Sequence, residues 1–321
     1  MAVKGANMVR CFHTRERIIL FLSVLALWII MPLLVHFSHI DVDYASFSTF
    51  YYISAICYIL SFLMIIIKDK YVSPIVEVIG AGFAYMVPMF LATYLAYSLN
   101  MPLADDTLVA MDRSLGFDWL TFIQFVDSSE SLSNWLNTAY GSLKYQLILT
   151  PILLCFVNQI PRAVAFIFGY ALMVLLASII TIWFPALGTY TVYELDASLL
   201  QNINVKFAYH FLDEFNAVRS GEPFTLELSN AAGIVTFPSV HAGMGFFMIW
   251  ALWRVKYLNL PCLFLNISMA ISAISHANHY LVDVLAGLLL AGIVASIGNF
   301  IFLGLRPTSS IFNFRETTVS G

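Results

Sequence analysis

Charged residues are scarce in this sequence. Of its 321 residues, 11% are charged and 60% are hydrophobic, and the mean hydropathy is +0.85. Soluble domains carry charge on roughly a quarter of their residues, so the composition excludes an ordinary soluble globular protein. The net charge of −4 comes without a basic patch, which argues against binding to nucleic acid. The composition therefore predicts an integral membrane protein.

Cysteine is scarce as well. The four cysteines are spread along the chain, and three of them lie inside apolar runs: Cys11, Cys57, Cys155 and Cys262. Their spacing matches neither a disulfide framework nor a metal-binding motif, and it favours buried packing roles. The sequence predicts no metal and no cofactor.

Long apolar runs dominate the sequence instead. Eight of them have roughly the length of a membrane span: 18–37, 49–67, 75–98, 143–158, 163–185, 239–254, 259–275 and 281–304. Because backbone polar groups in lipid must be hydrogen-bonded within their own segment, each run is predicted to be a helix. The third run is irregular, with Glu77, two glycines and Pro88, and the fourth is short. The predicted fold is an all-α, polytopic bundle of about eight transmembrane helices.

The distribution of basic residues predicts the orientation of this bundle. The first run follows basic residues but precedes no small-residue cleavage site, which indicates a retained helix rather than a signal peptide. Alternate ends and short loops carry the basic residues, namely Lys4, Arg10, Arg15, Arg17, Lys68, Lys70, Arg162, Arg254, Lys256, Arg306 and Arg315. The positive-inside rule then places both termini in the cytoplasm.

Three regions follow from these segments. Residues 1–100 form an N-terminal three-helix membrane region, 101–305 form the main membrane domain, and 306–321 form a cytoplasmic tail. The main domain has two long extracytoplasmic loops, 101–142 and 186–238. The first mixes acidic and aromatic residues and is predicted to contain amphipathic helix at the membrane surface. It either anchors the helices as an aromatic belt or faces the substrate, and the second loop is too long to be a plain connector.

Two short motifs carry the candidate chemistry. Pro238-Ser239-Val240-His241 suits the first turn of a helix, where free N–H groups and a hydroxyl can bind an anion. His279 and Asp283 are spaced to share one helix face, so the carboxylate can orient the imidazole. The predicted orientation puts both motifs at the non-cytoplasmic face, where they can form one site. Taken alone, the first motif is more often a helix cap with an interfacial histidine, and the second could equally be a structural hydrogen-bonded pair.

The two motifs together resemble those of the type 2 phosphatidic acid phosphatase superfamily. Its members carry Pro-Ser-Gly-His, and then Ser-Arg-x5-His-x3-Asp, at the outer ends of membrane helices. Residues 237–241 match the first motif with valine for glycine, and 272–287 align with the second without gaps. Weaker similarities at 112–119, 140–146 and 233–241 point to the branch of inositol phosphorylceramide synthases and their bacterial relatives. The resemblance covers about residues 105–305, so the first three helices add to a six-helix core or replace part of it.

This resemblance implies a role for each motif residue. His279 is expected to attack phosphorus and form a phosphohistidine, with Asp283 orienting its ring. His241 is expected to protonate the leaving oxygen as general acid, and Ser239 to help hold the phosphoryl oxygens. The implied activity is a lipid phosphatase or phosphotransferase that acts on a lipid phosphate, with an alcohol as acceptor in a transfer, and no metal is needed.

The sequence departs from the family in its positive charge. Ala273 stands where the family has an arginine, and no Lys-x6-Arg-Pro motif precedes residue 237. The outer-face candidates to replace that charge are Arg219 and Lys144 first, then Arg113 and Lys206. For each of them the alternative is a solvated or snorkelling side chain. A protein of another class, a catalytically inactive lipid-binding or lipid-transport protein on the same scaffold, is the alternative to an enzyme.

Overall fold

The computed structural model describes residues 14–69 and 71–304 and is all-α. The tail 306–321, Cys11 and the basic residues Lys4, Arg10, Lys70, Arg306 and Arg315 lie outside the described residues. The α-helices of the described part are α1 (Thr14–His36), α2 (Ser48–Ile66), α3 (Val72–Ser98), α4 (Asp105–Ser114), α5 (Trp119–Asp127), α6 (Glu130–Gly141), α7 (Leu143–Phe156), α8 (Ile160–Thr181), α9 (Thr189–Val192), α10 (Lys206–Tyr209), α11 (Leu212–Arg219), α12 (Val240–Leu252), α13 (Asn259–His276) and α14 (Leu281–Gly298). A 3-10 turn at Ala197–Leu199 and a π-helical turn at Asn299–Leu303 complete the helical elements found there.

All eight predicted apolar segments lie on helices, but not all of these helices have the length of a membrane span. Five are long and apolar enough to cross a bilayer: α1, α2, α3, α8, and α14 with its π turn. The pair α6 and α7, bent by 53°, provides a sixth if it counts as one span. At 13 residues, α12 is roughly 20 Å long, shorter than the ~30 Å hydrocarbon core. The all-α membrane fold is confirmed, while the count of eight spans and the cytoplasmic termini stay predictions.

The irregular third segment forms the single 27-residue helix α3. Its polar and small residues are used in packing against α1 and α2. Glu77 forms an ion pair with Arg17 of α1, at 3.1 Å between Oε2 and Nε. A Cβ on Gly80 would lie 2.9 Å from the Cβ of Cys57, so the glycine permits the close approach of α2. Because these groups are paired or packed inside the bundle, the helix does not break.

The two long loops form a folded layer at one end of the bundle. The first contains α4, α5 and α6, whose N-terminal caps include the side chains of Asp118 and Ser129. The second is tied to the segment after α1 by a two-stranded parallel sheet, β1 (Ile40–Val42) with β2 (Phe224–Leu226). The predicted helices in the first loop are therefore present, and the second loop is anchored rather than loose.

The two helices that carry the motifs, α12 and α14, pack closely against each other. A Cβ on Gly287 would collide with the carbonyl oxygen of Ser239 and lie 3.0 Å from the amide nitrogen of Gly243. A Cβ on Gly243 would lie 3.1 Å from the carbonyl oxygen of Gly287. The backbone N–H of Ser239 donates to the carbonyl oxygen of Asp283 at 3.0 Å. This glycine contact brings the starts of the two motif-bearing helices together.

We expect Gly287→Ala to lower the melting temperature in detergent and to weaken the candidate site. The added methyl meets backbone atoms that cannot rotate away, so α12 and α14 must separate, at a cost of roughly 1–3 kcal/mol. Gly292→Ala is the matched control on the same helix, because no heavy atom lies within 4 Å of its added Cβ. Thermal unfolding of both variants checks this, and equal melting temperatures would show that the glycine contact is not needed.

Candidate active site

A histidine and a carboxylate form the centre of the site. The Nδ1 of His279 lies 3.1 Å from Oδ2 of Asp283, one helical turn further on. The same Oδ2 accepts the backbone N–H of Tyr280 at 2.9 Å, which holds the carboxylate against the start of α14. Both side chains are buried. The pairing favours a proton on Nδ1 and leaves Nε2 directed away from the carboxylate.

Ser239 of the first motif lies next to Nε2 of His279 in the second motif. Ser239 is the N-terminal cap of α12, where its Oγ accepts the N–H of Ala242. The same Oγ lies 3.3 Å from Nε2 of His279. Two stretches that are forty residues apart in the sequence therefore share one hydrogen-bonded contact. The first turn of α12 also directs its N–H groups to this end of the helix, as suits an anion.

The second histidine lies beside the same cavity. His241 and His279 both line a cavity of about 240 Å³, which is bounded mainly by apolar residues of α3, α7, α8 and the 232–235 segment. The ring of His241 stacks on Tyr140 with 4.3 Å between centroids and 7° between planes. Since a parallel stack fixes the plane of the imidazole, Tyr140 sets the orientation of His241.

Burial sets the protonation of His279. Removal from water lowers its pKa to about 4, although a hydrogen bond with the backbone carbonyl of Thr236 acts in the opposite direction. A neutral imidazole has a free lone pair on the unprotonated nitrogen. The ring of His279 is therefore uncharged at neutral pH.

Two buried aspartates of α4 position the start of α14. Asp112 accepts the N–H groups of Leu281 and Val282, both at 2.9 Å. Asp105 accepts the hydroxyl of Tyr280 at 2.8 Å and two N–H groups of the 187–188 segment. Sequence reasoning did not assign these roles, because no local spacing connects residues 105–112 with 280–282. The only available signal was the clustering of acidic residues in the first long loop.

The residues that flank His279 bind the loop layer. Asn278 donates to the carbonyl oxygens of Leu187 and Ala208 and accepts the N–H of Tyr190. Gly188 has a φ of 93°, and its missing Cβ leaves room for Asn278. His276 contacts Ser133 and Ser275 instead of lining the cavity. Asn278 thus holds the 187–208 segment over the site, whereas His276 links α13 to α6 through Ser133, and neither side chain lines the cavity.

The basic residues that could replace the missing family arginine lie outside the cavity lined by His241 and His279, called the histidine cavity below. Arg219 donates to the carbonyl oxygen of Met101 at 2.9 Å, and its Nη1 has no hydrogen-bond partner in the described part of the chain. Lys144 lines a neighbouring apolar cavity, and Arg113 and Lys206 are exposed. Among residues 14–69 and 71–304, no lysine or arginine lines the histidine cavity.

The position of the family's arginine is apolar in this protein. Ala273 is fully buried and belongs to a hydrophobic cluster that includes Trp119, Tyr140 and Ala242. Charge is therefore not supplied from this side of α13. Within the described residues no three histidine, cysteine, aspartate or glutamate side chains are grouped as a metal site requires.

The fold and the site together define a class of protein: an α-helical membrane protein whose two motifs converge on a histidine–aspartate pair beside a second histidine. A sequence model described as the PAP2 superfamily matches residues 106–297, more than half of the chain, and the protein belongs to that superfamily. Its members are generally phosphatases and phosphotransferases, which supports a function of this type. No curated protein matches the sequence, and no solved structure matches it either.

Proposed function

We propose that the protein cleaves or transfers a lipid phosphate ester through a phosphohistidine on His279. The observation that supports this most directly is that His279 and His241 line one cavity, with Asp283 and Ser239 hydrogen-bonded to the two nitrogens of His279. Nδ1 of His279 is paired with Asp283, Nε2 faces the cap hydroxyl of Ser239, and His241 lines the same cavity. A nucleophile, the group that orients it and a proton donor are thereby within reach of one phosphoryl group.

The proposed reaction has two displacements. In the first, Nε2 of His279 attacks phosphorus, the bond from phosphorus to the leaving oxygen breaks, and His241 gives that oxygen its proton. In the second, His241 takes a proton from water or from an alcohol, whose oxygen attacks phosphorus, and the phosphorus–nitrogen bond breaks. Water as acceptor makes the protein a phosphatase, and an alcohol makes it a phosphotransferase like the inositol phosphorylceramide synthases.

Phosphoryl transfer depends mainly on positioning and on stabilising charge over the phosphoryl oxygens. We propose that Ser239 and the first-turn N–H groups of α12 hold these oxygens. Arg219 is the proposed source of longer-range positive charge, since its buried Nη1 has no hydrogen-bond partner in the described part of the chain. Lys144 is the second proposed source, although its position on the neighbouring cavity separates it from the histidines. The absence of a lysine or arginine among the cavity-lining residues described also favours the second candidate function, lipid binding without catalysis.

We further propose that the site faces the extracytoplasmic side. The end of α12 opposite to the histidines is capped by Arg162, which donates to the carbonyl oxygen of Trp250 at 2.7 Å. Arg254 and Lys256 follow at the same end. A basic end opposite to the histidine end is what the positive-inside rule expects of a cytoplasmic face.

The reaction is tested with purified protein and phosphate-labelled lipid phosphates, with and without an alcohol acceptor. We expect acid-labile labelling of the unmodified protein and release of phosphate or of a new phospholipid, and neither with His279→Gln. His241→Gln should lose activity on lipid esters, whose alkoxide leaving group needs a proton. It should retain far more on an aryl phosphate ester, which has a good leaving group.

Two outcomes would contradict this mechanism. Turnover that persists unchanged in His279→Gln excludes the phosphohistidine. Stoichiometric lipid binding without turnover by the unmodified protein identifies it as a binding protein.

Tyr140 is expected to act through His241, as a positioning residue. A protonated imidazole is stabilised by the face of an aromatic ring, by about 0.5–1 kcal/mol. Tyr140→Leu should therefore move the alkaline limb of the pH–kcat profile to lower pH by about half a unit. Tyr140→Phe keeps the ring and should keep the profile. A uniform loss of activity in both variants, without a shift, would show that the stack serves packing only.

The orientation is tested by cysteine labelling in intact cells or vesicles. Glu222→Cys lies in an exposed part of the second long loop, and Lys256→Cys lies in an exposed turn at the opposite end of the bundle. A membrane-impermeant maleimide added outside should label the first and spare the second until the membrane is opened. The reverse pattern would overturn the proposed orientation.

A further inference from the structure

We propose that one hydrocarbon chain of the lipid phosphate lies in two adjoining cavities, and that α3 forms a wall of both. This inference rests on the proposed function, because it takes the phosphate to lie at His279. It adds a binding site for the chain and assigns the selection of chain length to a helix that precedes the family-matched region 106–297.

The first of the two is the cavity of the candidate active site, with His241 and His279 at one end, and we call it the upper cavity. Apart from His241 and His279 its lining is mainly apolar, with Met86, Met89 and Phe90 from α3, and it includes the hydroxyl-bearing side chains of Thr93, Tyr140 and Tyr170. A cavity that is polar at one end and apolar beyond it suits a ligand with a polar head and a hydrocarbon chain. The methionines are flexible enough to adapt to such a chain.

A second cavity of about 140 Å³, which we call the lower cavity, adjoins the first. The two share Met86, Leu147 and Tyr170 as lining residues, one from each of α3, α7 and α8. The rest of the second cavity's wall is apolar apart from Lys144, whose side chain is partly aliphatic. A chain that leaves the upper cavity past these three residues enters the lower one.

The register along all three helices gives the direction of this path. On α3 the upper cavity is lined between 86 and 93 and the lower one between 78 and 86. On α8 the lining shifts from 170 and 174 to 167 and 170. On α7, which runs the other way, it shifts from 143 and 147 to 144–151. All three shifts lead away from the histidine end of the bundle.

The length of this path suits a long chain. From Val78 to Thr93 the cavity lining on α3 extends roughly 22 Å at 1.5 Å per residue. That is more than half of the ~30 Å hydrocarbon core. A chain of this length would run from the phosphate at the site towards the middle of the bilayer, with α3 along its whole course.

Gly82 offers a way to block the lower cavity. It lines that cavity, and a Cβ on it would meet only Ile167, at 3.6 Å. Gly82→Leu should therefore fill space that the chain needs, while Gly82→Ala should fit. Since excluding two or more methylenes costs about tenfold, we expect kcat/KM for a long-chain phosphatidic acid to fall at least about tenfold in Gly82→Leu. A short-chain homologue and Gly82→Ala should stay near the unmodified values.

A photo-crosslinking experiment on the unmodified protein decides the matter without relying on catalysis or on the variant's folding. The probe is a phosphatidic acid with a diazirine midway along one acyl chain, and a polyprenyl phosphate with a diazirine in its chain is the second arm. Adducts are expected on 78–90 of α3 and 143–151 of α7. The arm that gives them identifies the type of chain.

The outcomes separate the two proposals. Adducts in these helices without turnover would retain the chain site and overturn the proposed chemistry. Turnover with adducts confined to other helices, or an equal loss for long and short chains in Gly82→Leu, would overturn the chain site. A water-soluble phosphate ester serves as the control that the blocked variant keeps its catalytic centre.

Discussion

The close contact of α12 with α14 at Gly243 and Gly287 is the constraint on which the site depends. At this contact the backbone of Ser239 hydrogen-bonds to that of Asp283, and the cap of one helix reaches the first turn of the other. Side chains at these glycines would separate the helices, so the distance from Ser239 to His279 is set by backbone packing. The position of Ser239 relative to His279 therefore depends on this contact between α12 and α14.

Two buried aspartates and a buried asparagine connect the start of α14 to the two long loops and so stabilise this contact. Asp112 and Asp105 of α4 bind the start of α14, and Asn278 binds the 187–208 segment. Each of these groups satisfies backbone donors or acceptors that would otherwise be unpaired away from water. The result is a buried His279 that is held in one position by its pairing with Asp283.

Much of the fold could be predicted because a membrane imposes strong local rules. Each apolar run had to be a helix, and the spacing of His279 and Asp283 placed them on one face. The span count could not be settled in the same way, since α12 is short and α6 and α7 meet at a bend of 53°. Helix length and bending depend on packing against neighbours, which hydropathy does not report.

The sequence by itself determined the class of protein, the helical segments and the two motifs that supply the candidate site residues, because these follow from local composition and spacing. Only the tertiary structure decided what surrounds those residues. It stacked Tyr140 on His241, aligned the cavities along α3, buried Ala273 among apolar residues, and left Arg219 and Lys144 outside the histidine cavity. These are contacts between residues distant in the chain, and their geometry is set by how whole helices pack rather than by any local pattern.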